Sequence, residues 1–113
     1  MKESSMESYL LFESQEPLES AQVPGHYELA AALKAAGNRV TMFLVQNGVL
    51  AARHALRSEG VPRLVAAGVE VLADDFSLRE RGISASRLSS GVRVATIEDA
   101  LDQFAAGRKT LWL

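Results

Sequence analysis

The sequence predicts an α/β fold: a small single domain with a mostly parallel five-stranded sheet and helices on both faces. Three observations predict it. The tripeptide "AAG" recurs at 35–37, 66–68 and 105–107, each time followed by an apolar run: "NRVTMFLV", "VEVLA" and "RKTLWL". Ala favours the last turns of a helix and Gly adopts the left-handed conformation that ends it, so the repeat reads as helix, cap, strand. Two further strand-like runs, "SYLLF" (8–12) and "GVRVAT" (91–96), bring the number of strands to five. The 113 residues, 48% apolar and 23% charged, have the size and balance of one globular domain.

Taken in order, residues 1–7, "MKESSME", form a polar tail expected to be disordered, and the domain runs from 8 to 113. The first strand leads into a long acidic loop, "ESQEPLESAQVPG" (13–25), which reads either as a solvated connection with two prolines or as a lid or contact segment over the carboxyl edge. "HYELAAALKAA" (26–36) is a helix with Leu29, Leu33 and Ala36 on one face. After the second strand comes "QNG" (46–48), whose Asn-Gly suits a tight turn, and then "VLAARHALRS", read as a helix because it is Ala-rich and does not alternate. "VPRLVAAG" (61–68) opens a short helix with Pro62 in its first turn.

The third strand runs into "DDFSLRERG", where Ser77 and Glu80 have capping-box spacing. "SASRLSS" holds Ser84, Ser86, Ser89 and Ser90 and reads as a polar loop. The last helix, "IEDALDQFAA" (97–106), sets Ile97, Ala100, Leu101 and Phe104 at amphipathic spacing, with Thr96 and Asp99 as a second capping box. Strands alternating with helices imply a parallel sheet with right-handed crossovers.

Composition excludes several function classes. A net charge of −2 and a pI of 5.7 give no electrostatic footprint for nucleic acid or an anionic membrane. No apolar run is long enough to span a bilayer, and the start lacks a signal-peptide core, so a cytoplasmic address is expected. There is no cysteine, hence no disulfide, thiolate ligand or thiol nucleophile. Neither phosphate-binding glycine fingerprint follows a strand, nor is there a GxSxG nucleophile elbow; no cofactor is assigned.

Sheets of this kind bind ligands outside the carboxyl ends of their strands. That edge is built from 13–25, 46–49, 74–77 and 96–97, and makes Gln46, Asn47, Gly48, Asp74, Phe76 and Ser77 the candidate ligand-binding residues. The catalytic candidates are Asp74, Asp75 and His26, the histidine being placed to reach either acid as a proton-transfer or metal partner. Glu13 and Glu98 are the further oxygens a divalent cation would need, but no metal site is assigned. The competing local reading makes the two acids favourable charges at a helix start, with His26 an exposed terminal residue. His54 falls mid-helix and receives no role.

Three segments, "VTMFLVQNGVLAAR" (40–53), "LVAAGVEVLADDFSLRERGI" (64–83) and "GVRVATIEDALDQF" (91–104), resemble the DsrE/DsrF-like family, which includes the Tus subunits of sulfur relay. The resemblance covers the chain from about residue 8 to the end. It implies a flavodoxin-like, DsrE-like fold, a homo-oligomer built as a trimer or hexamer, and a cysteine, several residues before Arg81-Gly82, that carries sulfur. That cysteine position falls on Asp74, and a second, present in some members, on Ser77. A carboxylate cannot hold a persulfide, so this mechanism is closed to the chain. The expected function is therefore a non-catalytic binding or assembly protein on that scaffold. The alternatives are an enzyme or metal protein using Asp74 or Asp75 with His26, and a structural subunit pairing with a cysteine-bearing paralogue through a surface that includes Trp112.

Overall fold

The computed structural model describes residues 6–54 and 60–113. Five strands, β1 (Ser8–Glu13), β2 (Arg39–Leu44), β3 (Glu70–Asp74), β4 (Arg93–Ala95) and β5 (Lys109–Trp112), form one all-parallel sheet in the order β4-β3-β2-β1-β5. The expected flavodoxin-like α/β architecture is the one found. The chain steps from β1 to β4 in one direction, then crosses the whole sheet to add β5 beside β1. Helices α1 (Val23–Ala35), α2 (Gly60–Ala66) and α3 (Asp75–Glu80) pack on one face, and α4 (Ile97–Ala105), carried by the long return crossover, lies on the other.

Alternation along the strands divides the core between the faces. Leu11, Met42, Leu44, Val71 and Ala73 join Val23, Tyr27, Ala30, Leu64 and Leu78 in the larger core. Leu10, Phe12, Phe43, Val45 and Leu72 face the other way, in a smaller core to which α4 contributes one buried residue, Ala100. A buried arginine pins that helix down. Arg108 donates to Gln103 Oε1, to Thr41 Oγ1 (2.7 Å) and to the Tyr9 carbonyl (2.6 Å), so one guanidinium ties α4 to two strands.

The AAG reading holds at all three places. Gly37, Gly68 and Gly107 have φ of +99°, +93° and +87°, and the amides after the first two reach back to Leu33 and Leu64 carbonyls. Four details differ from expectation. Helix α1 begins at Val23, not 26, because Pro24 is at home in a first turn; this shortens the acidic loop to 14–22. Its buried face is Val23, Tyr27 and Ala30, with Leu29 and Ala36 exposed. "QNG" makes no hairpin: Gln46, at φ +50°, opens a 3₁₀ segment, Gln46–Ala52, where an α-helix was read. The rest of that reading, 55–58, lies outside the described residues. So do residues 1–5 of the expected tail, whereas Glu7 is bonded to Asn38 and Arg39.

The α4 pattern is the most consequential difference. The helix forms where the spacing puts it, and both bonds of the Thr96–Asp99 capping box are present. Yet Ile97, Leu101 and Phe104 are 52%, 59% and 62% exposed. Periodicity defined an apolar face that the described residues leave uncovered.

Candidate functional site

A cavity of about 540 Å³ opens at the carboxyl edge, on the α4 side of the sheet. Each wall comes from the end of a different strand: Val45 and Gln46 after β2, Asp74 to Ser77 after β3, Thr96 and Ile97 after β4, and Trp112 in β5. Arg79 and Glu80 complete the α3 side. The Trp112 ring stacks on Phe12, 4.9 Å between centroids, and Phe12 stacks in turn on Phe43 at 5.6 Å. The aromatic wall of the cavity, Trp112, is therefore backed by a stacked column of two further rings.

Asp74 is buried at the seam of β3 and α3. Its Oδ2 accepts the Ser77 backbone N–H at 2.9 Å and the Ser77 hydroxyl at 2.6 Å. This corrects the sequence reading of a Ser77–Glu80 capping box. The helix starts at Asp75, so Ser77 is its third residue and donor, and Asp74 is the cap. Having given its hydrogen to Asp74, the Ser77 oxygen accepts the Gln46 N–H at 2.8 Å. That bond secures the left-handed backbone of Gln46, which is costly for a residue with a side chain. The relay from Gln46 through Ser77 to Asp74 fixes the ends of β2 and β3 against each other.

Asp75 has different surroundings, as adjacent residues at a strand end usually do. It is half-exposed at the cavity rim and accepts from Arg79 Nε at 3.2 Å, one helical turn on. The Arg79 guanidinium also sits 5.9 Å from the centre of the Phe76 ring.

His26 joins neither acid. Its Nδ1 lies 2.5 Å from Oε1 of Glu13, whose other oxygen accepts the Gln15 N–H at 3.1 Å. Glu13 is completely buried at the end of β1. Beside this pair the Tyr27 hydroxyl is buried with no partner among the described residues. Burial first, then the charges of Glu13 and Glu16, push the Tyr27 phenol well above its ordinary value of 10.0.

Of the candidate ligand-binding residues, Gln46, Asp74, Phe76 and Ser77 line the cavity, together with Asp75. Asn47 and Gly48 do not. Asn47 donates to Glu19 and accepts from Arg81, while Gly48 passes so close to the Glu13 carbonyl that a Cβ would stand 2.1 Å from its oxygen. Among the described residues, no three His, Asp or Glu side chains converge as a metal site would require. The sequence reading put Thr96 and Ile97 at this edge without naming them as ligand-binding residues, and it missed Val45, Arg79 and Glu80. It named Trp112 only as a contact surface, although its place at the end of the last strand was the signal for this edge.

No protein-family model matches the chain, and no curated protein does. Solved structures match closely in shape. The YchN protein from E. coli superimposes with a TM-score of 0.84 at 23% identity, over 96% of this chain and 100% of the other. MTH1491 from Methanobacterium thermoautotrophicum, a protein of unknown function, gives 0.80 at 18%, over 96% and 100%. BT1422 from Bacteroides thetaiotaomicron, also of unknown function, gives 0.72 at 12%, over 95% of each chain. These likenesses establish that the chain has the fold of a known group of small α/β proteins along its whole described length.

Proposed function

We propose that this chain is a non-catalytic binding and assembly protein on a DsrE-like sulfur-relay scaffold, with a carboxylate standing where relatives hold a sulfur-carrying thiol. The observation that carries this reading is the uncovered apolar surface around the cavity. Ile97, Leu101 and Phe104 share one face of α4, and Ile97 meets Phe76 and Trp112, 58% and 64% exposed, at the cavity itself. Burying one such side chain is worth roughly 1.5–3 kcal/mol. Five exposed large apolar side chains, three along one helix face and three at the cavity with Ile97 common to both, support an interaction surface in this reading. Other copies of the chain are the covering partner in this reading, in the trimer or hexamer that the family resemblance implies.

The site chemistry agrees with a role other than turnover. Asp74 uses one oxygen to hold its own helix, and the histidine that would have served it as a proton partner is committed to Glu13. A carboxylate keeps the electrostatic fit of the helix start but forms no persulfide. Sedimentation equilibrium at micromolar protein tests the reading. A trimer or hexamer is expected, and a strict monomer overturns it.

A further inference from the structure

A second cavity, of about 420 Å³, opens at the opposite, amino edge of the sheet, beside the last turn of α4. Among its described lining residues one is buried, Arg108, 7% exposed. The two terminal nitrogens of that guanidinium donate to Gln103, Thr41 and the Tyr9 carbonyl, all neutral groups. Its Nε is buried with no acceptor among the described residues, and none of their carboxylates forms an ion pair with it. Burial first, then the like charge of Arg39, hold the Arg108 guanidinium below its ordinary range, with Glu70 opposing them. A buried cation with an open donor is unfavourable until an anion meets it.

The remaining walls restrict what that anion is. Arg39 is a second guanidinium in the cavity, and its side chain has no hydrogen bond or ion pair among the described residues. Two carboxylates also line the space. Glu7 is matched by Lys109 Nζ at 3.9 Å, whereas Asp102, exposed on α4, has no ion pair among the described residues. A bare anion satisfies both guanidiniums but meets Asp102. A cation satisfies Asp102 but meets two guanidiniums. A small acid with a hydrogen-bond donor beside its carboxylate answers all three groups, and the cavity has room for one.

We infer that this cavity binds a small α-hydroxy or α-amino acid, with its carboxylate between Arg108 Nε and Arg39 and its hydroxyl or ammonium on Asp102. The inference stands apart from the assembly reading, since none of these residues lines the carboxyl-edge cavity. The shared chemistry is a carboxylate with a neighbouring donor, and the nature of that donor separates the two sources.

The experiment titrates the ¹⁵N-labelled protein at pH 7 and constant ionic strength with glycolate and with glycine, against acetate and methylammonium as controls. The readout is the Arg108 Nε–H signal in ¹H–¹⁵N spectra, assigned through the bonds to its own backbone. Glycolate or glycine is expected to shift it saturably at a concentration at least about fivefold below acetate, with no shift by methylammonium. Whichever of the two acts at the lower concentration names the donor as hydroxyl or ammonium. Arg39 and Asp102 are exposed, so changing them leaves the fold intact. Arg39→Gln is expected to weaken the response by about tenfold or more, and Asp102→Ala to abolish the preference over acetate. The inference is overturned if no probe gives a saturable shift, which would leave water as the partner of Nε. It is overturned equally if acetate acts on the parent as glycolate and glycine do, or if Arg39→Gln responds as the parent does.

Discussion

Replacing Asp74 with Ala removes the acceptor of two hydrogen bonds at once, the Ser77 N–H at 2.9 Å and the Ser77 hydroxyl at 2.6 Å. Loss of a side-chain N-cap costs roughly 0.5–2 kcal/mol. Ser77 is itself buried, and leaving its hydroxyl without an acceptor adds about 1–3 kcal/mol, the low end applying because the cavity admits water. The sum is about 1.5–3 kcal/mol. At about 4 °C per kcal/mol for a domain of this size, Asp74→Ala lowers Tm by roughly 6–12 °C. Asp75→Ala is the internal control. It loses one exposed pair with Arg79, worth roughly 0.2–0.5 kcal/mol, and a favourable charge at the helix start, so its Tm falls by less than about 4 °C. Thermal unfolding followed by circular dichroism measures both. Equal shifts would refute the assignment of Asp74 as the cap. A rise in Tm on Asp74→Ala would show instead that the carboxylate is held there at a cost to stability, as functional groups often are.

Three further outcomes follow from the same geometry. Tyr27→Phe removes a buried hydroxyl without a partner among the described residues and is expected to stabilise by about 1 kcal/mol at neutral pH. Because the folded state holds that phenol's proton above the ordinary 10.0, the parent protein is unaffected by this group below about pH 10 and loses stability as pH climbs beyond it; urea titrations across that range should show a flatter decline in Tyr27→Phe, and an unchanged slope would contradict the burial. Gly48→Ala forces a Cβ to within 2.1 Å of the Glu13 carbonyl oxygen and should cost about 2–3 kcal/mol in urea unfolding, whereas a neutral result would mean that the two strand ends separate freely. Asp74→Cys places the chain's only thiol in front of the Ser77 donors, and the pH midpoint of its alkylation by iodoacetamide should fall below the ordinary value of about 8.5, with a midpoint at or above that value counting against the electrostatic equivalence of the two groups.

The parts of the fold that were legible in the sequence are those set by local chemistry. The glycines after three helices need positive φ, the three inner strands are largely apolar because both faces of a parallel sheet are buried there, and Thr96–Asp99 is a local bond pair. The misread parts depend on packing. "DDFSLRE" contains two overlapping cap patterns, Asp74 to Ser77 and Ser77 to Glu80, and only the end of β3 decides between them. Spacing shows that Ile97, Leu101 and Phe104 share a face but not what covers it. The Glu13–His26 pair joins a strand end to a helix start thirteen residues on, a contact fixed by how α1 docks on the sheet. The cavity was foreseen at the correct edge because parallel sheets open there, while the contribution of Trp112 depended on β5 pairing with β1.

Assembly through the α4 face is most directly tested by light-scattering mass of the parent protein beside Leu101→Glu. Leu101 lies outside the cavity lining and is already exposed, so the substitution leaves the fold of the single chain intact. The parent is expected to run as a multimer and Leu101→Glu as a monomer with an unchanged melting profile by near-ultraviolet circular dichroism, apart from the stability that association supplies. A monomeric parent, or a variant that assembles as the parent does, would contradict the account.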